Sequence, residues 1–240
     1  HSYQSGILRW HPDGSLDTGF DSGVTIRGYV LDMILQPDGR ILLGGNFEDV
    51  AGVARRGLAR LHIDGTLDET FDAGNAAAPA EGFSNWPDVR ALALLPGGEI
   101  LVGANAAGEL TDRYCFFRLN ADGSRDPVLH TPLIPGYAAA QTIAPLPDGK
   151  VLAEGWFSMP GASGYTVLRL NSDGSIDDTF NLGPLASSRL SFLTRYPDGR
   201  LLFGYGSGDF ADGPRSLVRL NADGSLDPTQ GQHLQRPMRR

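Results

Sequence analysis

Oxygen-bearing side chains spaced two apart around a glycine are the first residues here that could do chemistry. Asn120-Ala121-Asp122-Gly123-Ser124-Arg125-Asp126 sets oxygen-bearing side chains at alternate positions. That partly resembles an Asp-rich calcium loop. Asn171–Asp177 and Asn221–Asp227 repeat the pattern. An Asp-Gly pair is also what a bulged hairpin turn demands, and His11 and His62 replace the Asn in two other copies. The turn reading is preferred: no cofactor is expected, and calcium at these loops is the alternative.

Other reactive types do not assemble. Asp177-Asp178 and Asp68-Glu69 are adjacent, so on strands they point to opposite faces and cannot share a proton. The histidines, at 1, 11, 62, 130 and 233, have no metal-ligand spacing. Ser158 and Ser191 lack a nucleophile elbow. Gly44-Gly45 and Gly204-Tyr205-Gly206 follow strand-like runs but open no helix, so they do not cradle phosphate. No catalytic residue, metal site or enzyme activity is expected.

Aromatic residues offer a contact chemistry instead. Trp156-Phe157 follows one apolar run, Asn46-Phe47 holds the same place in another, and Phe210 lies slightly later in a further one. An aromatic face beside Asn or Asp can stack on a sugar ring and bond its hydroxyls. Packing in a core or between sheets competes with that reading. Trp86 sits in a long spacer, where an exposed indole is a candidate partner contact.

Composition narrows the setting. Among 240 residues, 32 are Gly and 16 are Pro, while the hydrophobic share of 41% suffices for a core. Breakers this frequent exclude a helical protein. A net charge of −8 gives no basic footprint for nucleic acid, and the cluster Arg236, Arg239, Arg240 reads as a solvated tail, 231–240. No apolar run approaches the ~18 residues of a membrane helix, so no membrane insertion is expected. Cys115 is alone and reads as a buried thiol in Tyr114-Cys115-Phe116-Phe117. The opening His1-Ser2-Tyr3-Gln4 reads as a processed or excised start.

The elements that must position these residues are written as a repeat. RWHPDGSLDTGF from Arg9 recurs as RLHIDGTLDETF from Arg60, RLNADGSRDPVL from Arg118, RLNSDGSIDDTF from Arg169 and RLNADGSLDPTQ from Arg219. The arginines are 51, 58, 51 and 50 residues apart. A second phrase alternates with the first: PDGRILLGG from Pro37, PGGEILVGA from Pro96, PDGKVLAEG from Pro147 and PDGRLLFGY from Pro197. The extra length lies in one spacer, Ala73–Asn85. Each phrase predicts a hairpin turn with Gly in a left-handed bulge. The flanking runs are mostly continuous and apolar, which predicts strands covered on both faces. Two hairpins make four short strands per ~50 residues, the period of β-propeller blades. The expected fold is all-β, a single propeller domain or propeller segment over 1–240. The expected blades are about 28–72, 88–130, 140–181 and 189–230, with a partial blade at 5–20. Ser5–Phe20 lacks a first hairpin, so the ring closes around an incomplete blade, another chain supplies the missing strands or, the reading preferred here, the chain is a piece of a longer repeat protein.

Register adds a specific pairing. Counting back from the turn sets Arg60 opposite Asp68, and likewise Arg9–Asp17, Arg118–Asp126, Arg169–Asp177 and Arg219–Asp227. Opposite charges across a ladder contribute ~0.2–1 kcal/mol. The stake rises if the pair lies between blades, where losing one partner strands a buried charge.

LARLHIDGTLDETF from Leu58 and LQPDGRILLGGNF from Leu35 together resemble the bacterial delta-sixty repeat, an uncharacterised propeller-like family. The resemblance covers nearly the whole chain. Pro96-Gly97-Gly98, Val128-Leu129 and the spacer Ala73–Asn85 depart from it. It implies an extracytoplasmic place (secreted, periplasmic or cell-surface) and transfers no catalytic residue. The expected function is a non-catalytic scaffold for protein assembly or adhesion, partnered by another protein or by neighbours in a larger assembly. The alternative is a lectin-like propeller that binds glycans between blades through residues such as Trp156 and Phe157.

Overall fold

The computed structural model describes residues 4–20, 23–73, 88–106, 116–126, 138–159, 162–180, 189–196, 198–206, 215–223 and 225–228. All regular structure in them is β, in two compact units, one built from β1–β8 and the other from β9–β14.

The first unit opens with β1 (Gln4–Ser5), which pairs with the start of β2 (Ile26–Leu35). β2, β3 (Ile41–Val50) and β5 (Leu58–Leu61) form an antiparallel meander, with β4 (Val53–Ala54) at the far end of β3. The next blade is β6 (Val89–Leu94), β7 (Ile100–Ala106) and β8 (Phe116–Leu119). In the second unit, β9 (Ala138–Pro145), β10 (Val151–Met159) and β11 (Ala162–Leu170) form one blade. β12 (Arg189–Arg195), β13 (Leu201–Gly206) and β14 (Arg215–Leu220) form the other. For brevity these blades are A, B, C and D in chain order.

Each Asp-Gly turn closes as its residue types require. In Gln36–Arg40 the amide of Gly39 donates to the Gln36 carbonyl, and that of Gln36 to the Arg40 carbonyl. Gly39 has φ 84°, a left-handed value that side chains resist. The second turns repeat this, as in Gly65 to His62 and His62 to Thr66. The fourth strand of each blade is shorter than expected, a single bridge such as Leu61 with Leu67 or Leu170 with Ile176. The ladder stops because the carboxylate of the following Asp turns back on its own backbone.

Covering is uneven. Leu58–Leu61 is buried throughout, as a continuous apolar run predicts. β2 departs from that expectation: its residues alternate, and Leu31, Met33 and Leu35 are exposed on one face. Its other face joins the packing between blades A and B, where Leu42, Leu58 and Ile34 meet Val89, Leu92, Ile100 and Val102. The opposite face of blade A is closed by Phe20, Val24 and Ile7, which pack on Leu43, Ala59 and Leu61.

Candidate functional site

The most repeated arrangement of side chains is a clasp at the second hairpin. Strand register sets Arg60 opposite Asp68: the Asp68 amide donates to the Arg60 carbonyl, and Arg60 Nε lies 2.7 Å from Asp68 Oδ2. Asp68 Oδ1 accepts from the amide and hydroxyl of Thr70. The Phe71 amide reaches the Asp68 carbonyl, which carries the ring under the Arg60 guanidinium at 4.7 Å. One carboxylate thus ends the ladder, fixes the turn and orients a cation on an aromatic face. The phrase Asp-Glu-Thr-Phe is the sequence of that turn. Arg169–Asp177 with Phe180 and Arg9–Asp17 with Phe20 repeat it. Arg118–Asp126 and Arg219–Asp227 each keep the ion pair at 2.7 Å.

Three of the clasps grip the next blade. Arg60 Nη1 donates to the Ala121 carbonyl in the second turn of blade B, at 2.7 Å. Arg9 reaches Ile63 of blade A in the same way, and Arg169 reaches Asp223 of blade D. A Cβ on Gly123 would stand 3.0 Å from the Phe71 ring, so the turn of blade B seats on that aromatic. A second cation comes from the first turn: Arg40 lies 3.5 Å from Asp68, Lys150 2.7 Å from Asp177 and Arg200 3.5 Å from Asp227. Blade B has Glu99 at that place.

The electrostatics follow. Burial pushes the Asp68 carboxyl up, but the Thr70 hydroxyl, Arg60 and the Thr70 amide together bring it down to about 2. Lys150, then Thr179 and Arg169, hold Asp177 well below the usual carboxylate range. The hydrogen bond from Arg9 lowers the Asp17 carboxyl. These groups are fixed anions, unsuited to exchanging protons near neutrality.

The calcium-like loops use their oxygens internally. Asp122 Oδ1 accepts from the Ser124 amide and hydroxyl, Asn120 Nδ2 donates to Ser124 Oγ, and Asp126 holds Arg118. The loops at Asn171 and Asn221 have the same bonds. Among the described residues no group of His, Cys, Asp and Glu could hold a metal ion.

Trp156 is 37% exposed on β10, and its neighbour Phe157 is buried. Trp86, Phe210, Cys115 and the spacer from 74 lie outside the described residues.

Three features escape the sequence reading. Each first strand has a bulge six residues before its turn proline, at Leu31, Arg90, Gln141 and Ser191. Bulges re-aim side chains at sheet ends. At the end of blades A and B, Asp88 accepts from Asn46, from Asn105 at 3.2 Å and from Arg90 at 2.9 Å. Glu154, buried in blade C, takes the place of Gly44, Gly103 and Gly204 in the other blades. The available signal was the broken repeat at Glu154; the four bulge residues share no type.

Residues 36–71, 146–180 and 197–229 match a family described as a domain of unknown function, DUF5122, β-propeller. The fold is a β-propeller, and these three segments are similar to that family. In DUF5122 terms each matched segment runs from a first turn to the end of the following clasp. A search of the curated proteins found no match. A solved structure described as a putative gluconolactonase is 19% identical, with a TM-score of 0.48 over 93% of this chain and 71% of that one. A puromycin hydrolase is 17% identical, with a TM-score of 0.44 over 94% of this chain and 28% of its own length.

Proposed function

We propose that this chain is a non-catalytic, extracytoplasmic scaffold that mediates protein–protein assembly or adhesion. The observation that carries the reading is the apolar face of β2, where Met33 is 52% and Leu35 72% exposed. A contiguous exposed apolar face marks an interaction surface more often than an isolated exposed leucine does. The repeated carboxylates support the same reading, since their hydrogen bonds and ion pairs are structural. The finer reading as a delta-sixty repeat, and with it the extracytoplasmic place, rests on LARLHIDGTLDETF and LQPDGRILLGGNF.

The test is partner capture by chemical crosslinking in the producing cell's surface and secreted fractions, then reconstitution with the purified partner. A Met33→Glu variant with an unchanged melting temperature should lose the reconstituted complex. Equal binding by that variant would overturn the placement.

A second reading is favoured by Trp156, whose exposed ring lies beside a buried Phe157. An indole so placed can stack on a sugar. A folded Trp156→Ala variant should then lose binding to whatever glycan the unaltered chain selects on an array. An array with no binding removes this reading.

A further inference from the structure

We infer that the seam between blades A and B binds a neutral saccharide at the end away from the hairpin turns, with Tyr29 stacking on the sugar ring and Asn46, Asp88 and Arg90 bonding its hydroxyls. This site, which rests on the glycan reading, lies in blades other than that of Trp156.

The two ends of a blade differ in kind. Both turns lie at one end, where the repeated phrases recur with little change. At the other end stands a cross-strand pair, eight residues before the first-turn proline and nine after it. Blade A pairs Tyr29 with Asn46, blade C pairs Ala139 with Trp156, and blade D pairs Arg189 with Gly206. In blade B the Asn105 amide donates to the Asp88 carbonyl at 3.0 Å. No two of these pairs are alike, so the repeated fold does not dictate their side chains. Variable residues at the loop end of a uniform scaffold are where binding groups concentrate.

At the seam the pairs of two blades meet. Asn46 Nδ2 donates to Asp88 Oδ1. Asp88 Oδ2 accepts from Arg90 Nη2 at 2.9 Å and from Asn105 Nδ2 at 3.2 Å. Tyr29 stands directly opposite Asn46, so their side chains share a face, and it is 48% exposed. Asn105 Oδ1 and Arg90 Nε are buried with no hydrogen-bond partner, so the cluster is not satisfied from within. The group presents an aromatic face, a carboxylate that accepts, and amide and guanidinium groups that donate. A sugar matches that set, because its C–H face is apolar and its adjacent hydroxyls both donate and accept.

Charge selects a neutral sugar. Arg90 balances Asp88. Asp32, opposite Gly44 on the same face of β2, adds a second carboxylate, anchored in the seam by the Leu92 amide of blade B at 2.7 Å. An acidic sugar would meet like charge there.

The experiment screens the folded full chain on an array of neutral and sialic-acid-bearing oligosaccharides. The neutral oligosaccharide bound best is then titrated, free in solution, by calorimetry. Binding confined to neutral sugars is expected. Tyr29→Ala and Asp88→Asn, each with an unchanged melting temperature, should weaken it about tenfold. Tyr29→Phe keeps the ring and should stay within about threefold of the unaltered chain. Trp156→Ala should change nothing. Binding that survives Tyr29→Ala but is lost in Trp156→Ala overturns the seam site and leaves the glycan reading standing. Preference for the sialylated sugars, or equal loss in Tyr29→Phe and Tyr29→Ala, also overturns the seam site. An array with no binding overturns both.

Discussion

Asp68 has a completely buried side chain, and Arg60 beside it is nearly so. Replacing Asp68 by Ala would leave the guanidinium in that site without its carboxylate, a change that costs roughly 3–5 kcal/mol for a buried pair. We expect Asp68→Ala to lower stability in urea unfolding by about 3 kcal/mol. Asp17→Ala should cost far less, because Arg9 is 39% exposed and water can replace the partner. The pH dependence has a definite sign. The folded Asp68 carboxyl lies at about 2, below its unfolded value. Its contribution is complete above the unfolded value of about 4 and is lost as pH falls through about 2. The melting temperature of the unaltered chain should therefore converge on that of Asp68→Asn as pH drops across this window. A constant gap down to pH 2 would show that the charge is not what stabilises the site. Glu99 offers the converse. It stands where Arg40, Lys150 and Arg200 approach the clasp carboxylate. Glu99→Lys should stabilise the fold by about 0.5–1 kcal/mol, and Asp126→Asn should abolish the gain in a double-mutant cycle.

At the scale of the hairpin and strand, the turns were legible because their chemistry is local: a left-handed glycine, preceded by Asp in all but the Gly97-Gly98 turn and followed by Ser or Thr in the second turns, defines the bend within five residues. Pairing of Arg60 with Asp68 follows from counting outward from that bend. What the turns engage was not legible. The reach of Arg60 to Ala121 spans 61 positions, and nothing in either residue announces it. The bulges at Leu31, Arg90, Gln141 and Ser191 were hidden because a skipped residue needs no particular side chain. The exposed face of β2 was hidden for a related reason: Leu31, Met33 and Leu35 read as core until the neighbouring sheet is seen to cover only the other side. The turn glycines separate local from long-range effects. Gly14 and Gly123 both have left-handed φ, 84° and 94°. A Cβ on Gly14 meets nothing within 4 Å, while one on Gly123 meets the Phe71 ring at 3.0 Å. Gly14→Ala should thus cost only backbone strain, about 1–2 kcal/mol. Gly123→Ala should cost about 1 kcal/mol more, from packing against the neighbouring blade. Equal losses in denaturant titrations would mean that the Gly123 turn does not seat on Phe71.

At the scale of the molecule, repeats are stabilised by the interfaces with their neighbours, so an apolar blade face needs a cover. The residues before β2 supply that cover for β3 and β5 of blade A. Phe20 is 3% exposed and packs with Ile7 and Val24 on Leu43, Ala59 and Leu61. Phe71 does the corresponding work between blades A and B, among Leu42, Leu58 and Ile100. The half-blade at Arg9–Phe20 is therefore an integral layer of the first unit, positioned by the same clasp as a complete blade. This makes a quantitative expectation. Truncating a buried Phe to Ala costs about 3–5 kcal/mol, the spread reflecting how well the site can collapse. If the half-blade is a layer, Phe20→Ala and Phe71→Ala should fall within about 1 kcal/mol of each other in urea unfolding. If it were a loosely attached arm, Phe20→Ala would cost less than about 1 kcal/mol, and hydrogen exchange at Asp17 and Phe20 would be unprotected. Protection of those two amides, both of which donate to backbone carbonyls in the folded turn, is the expected result.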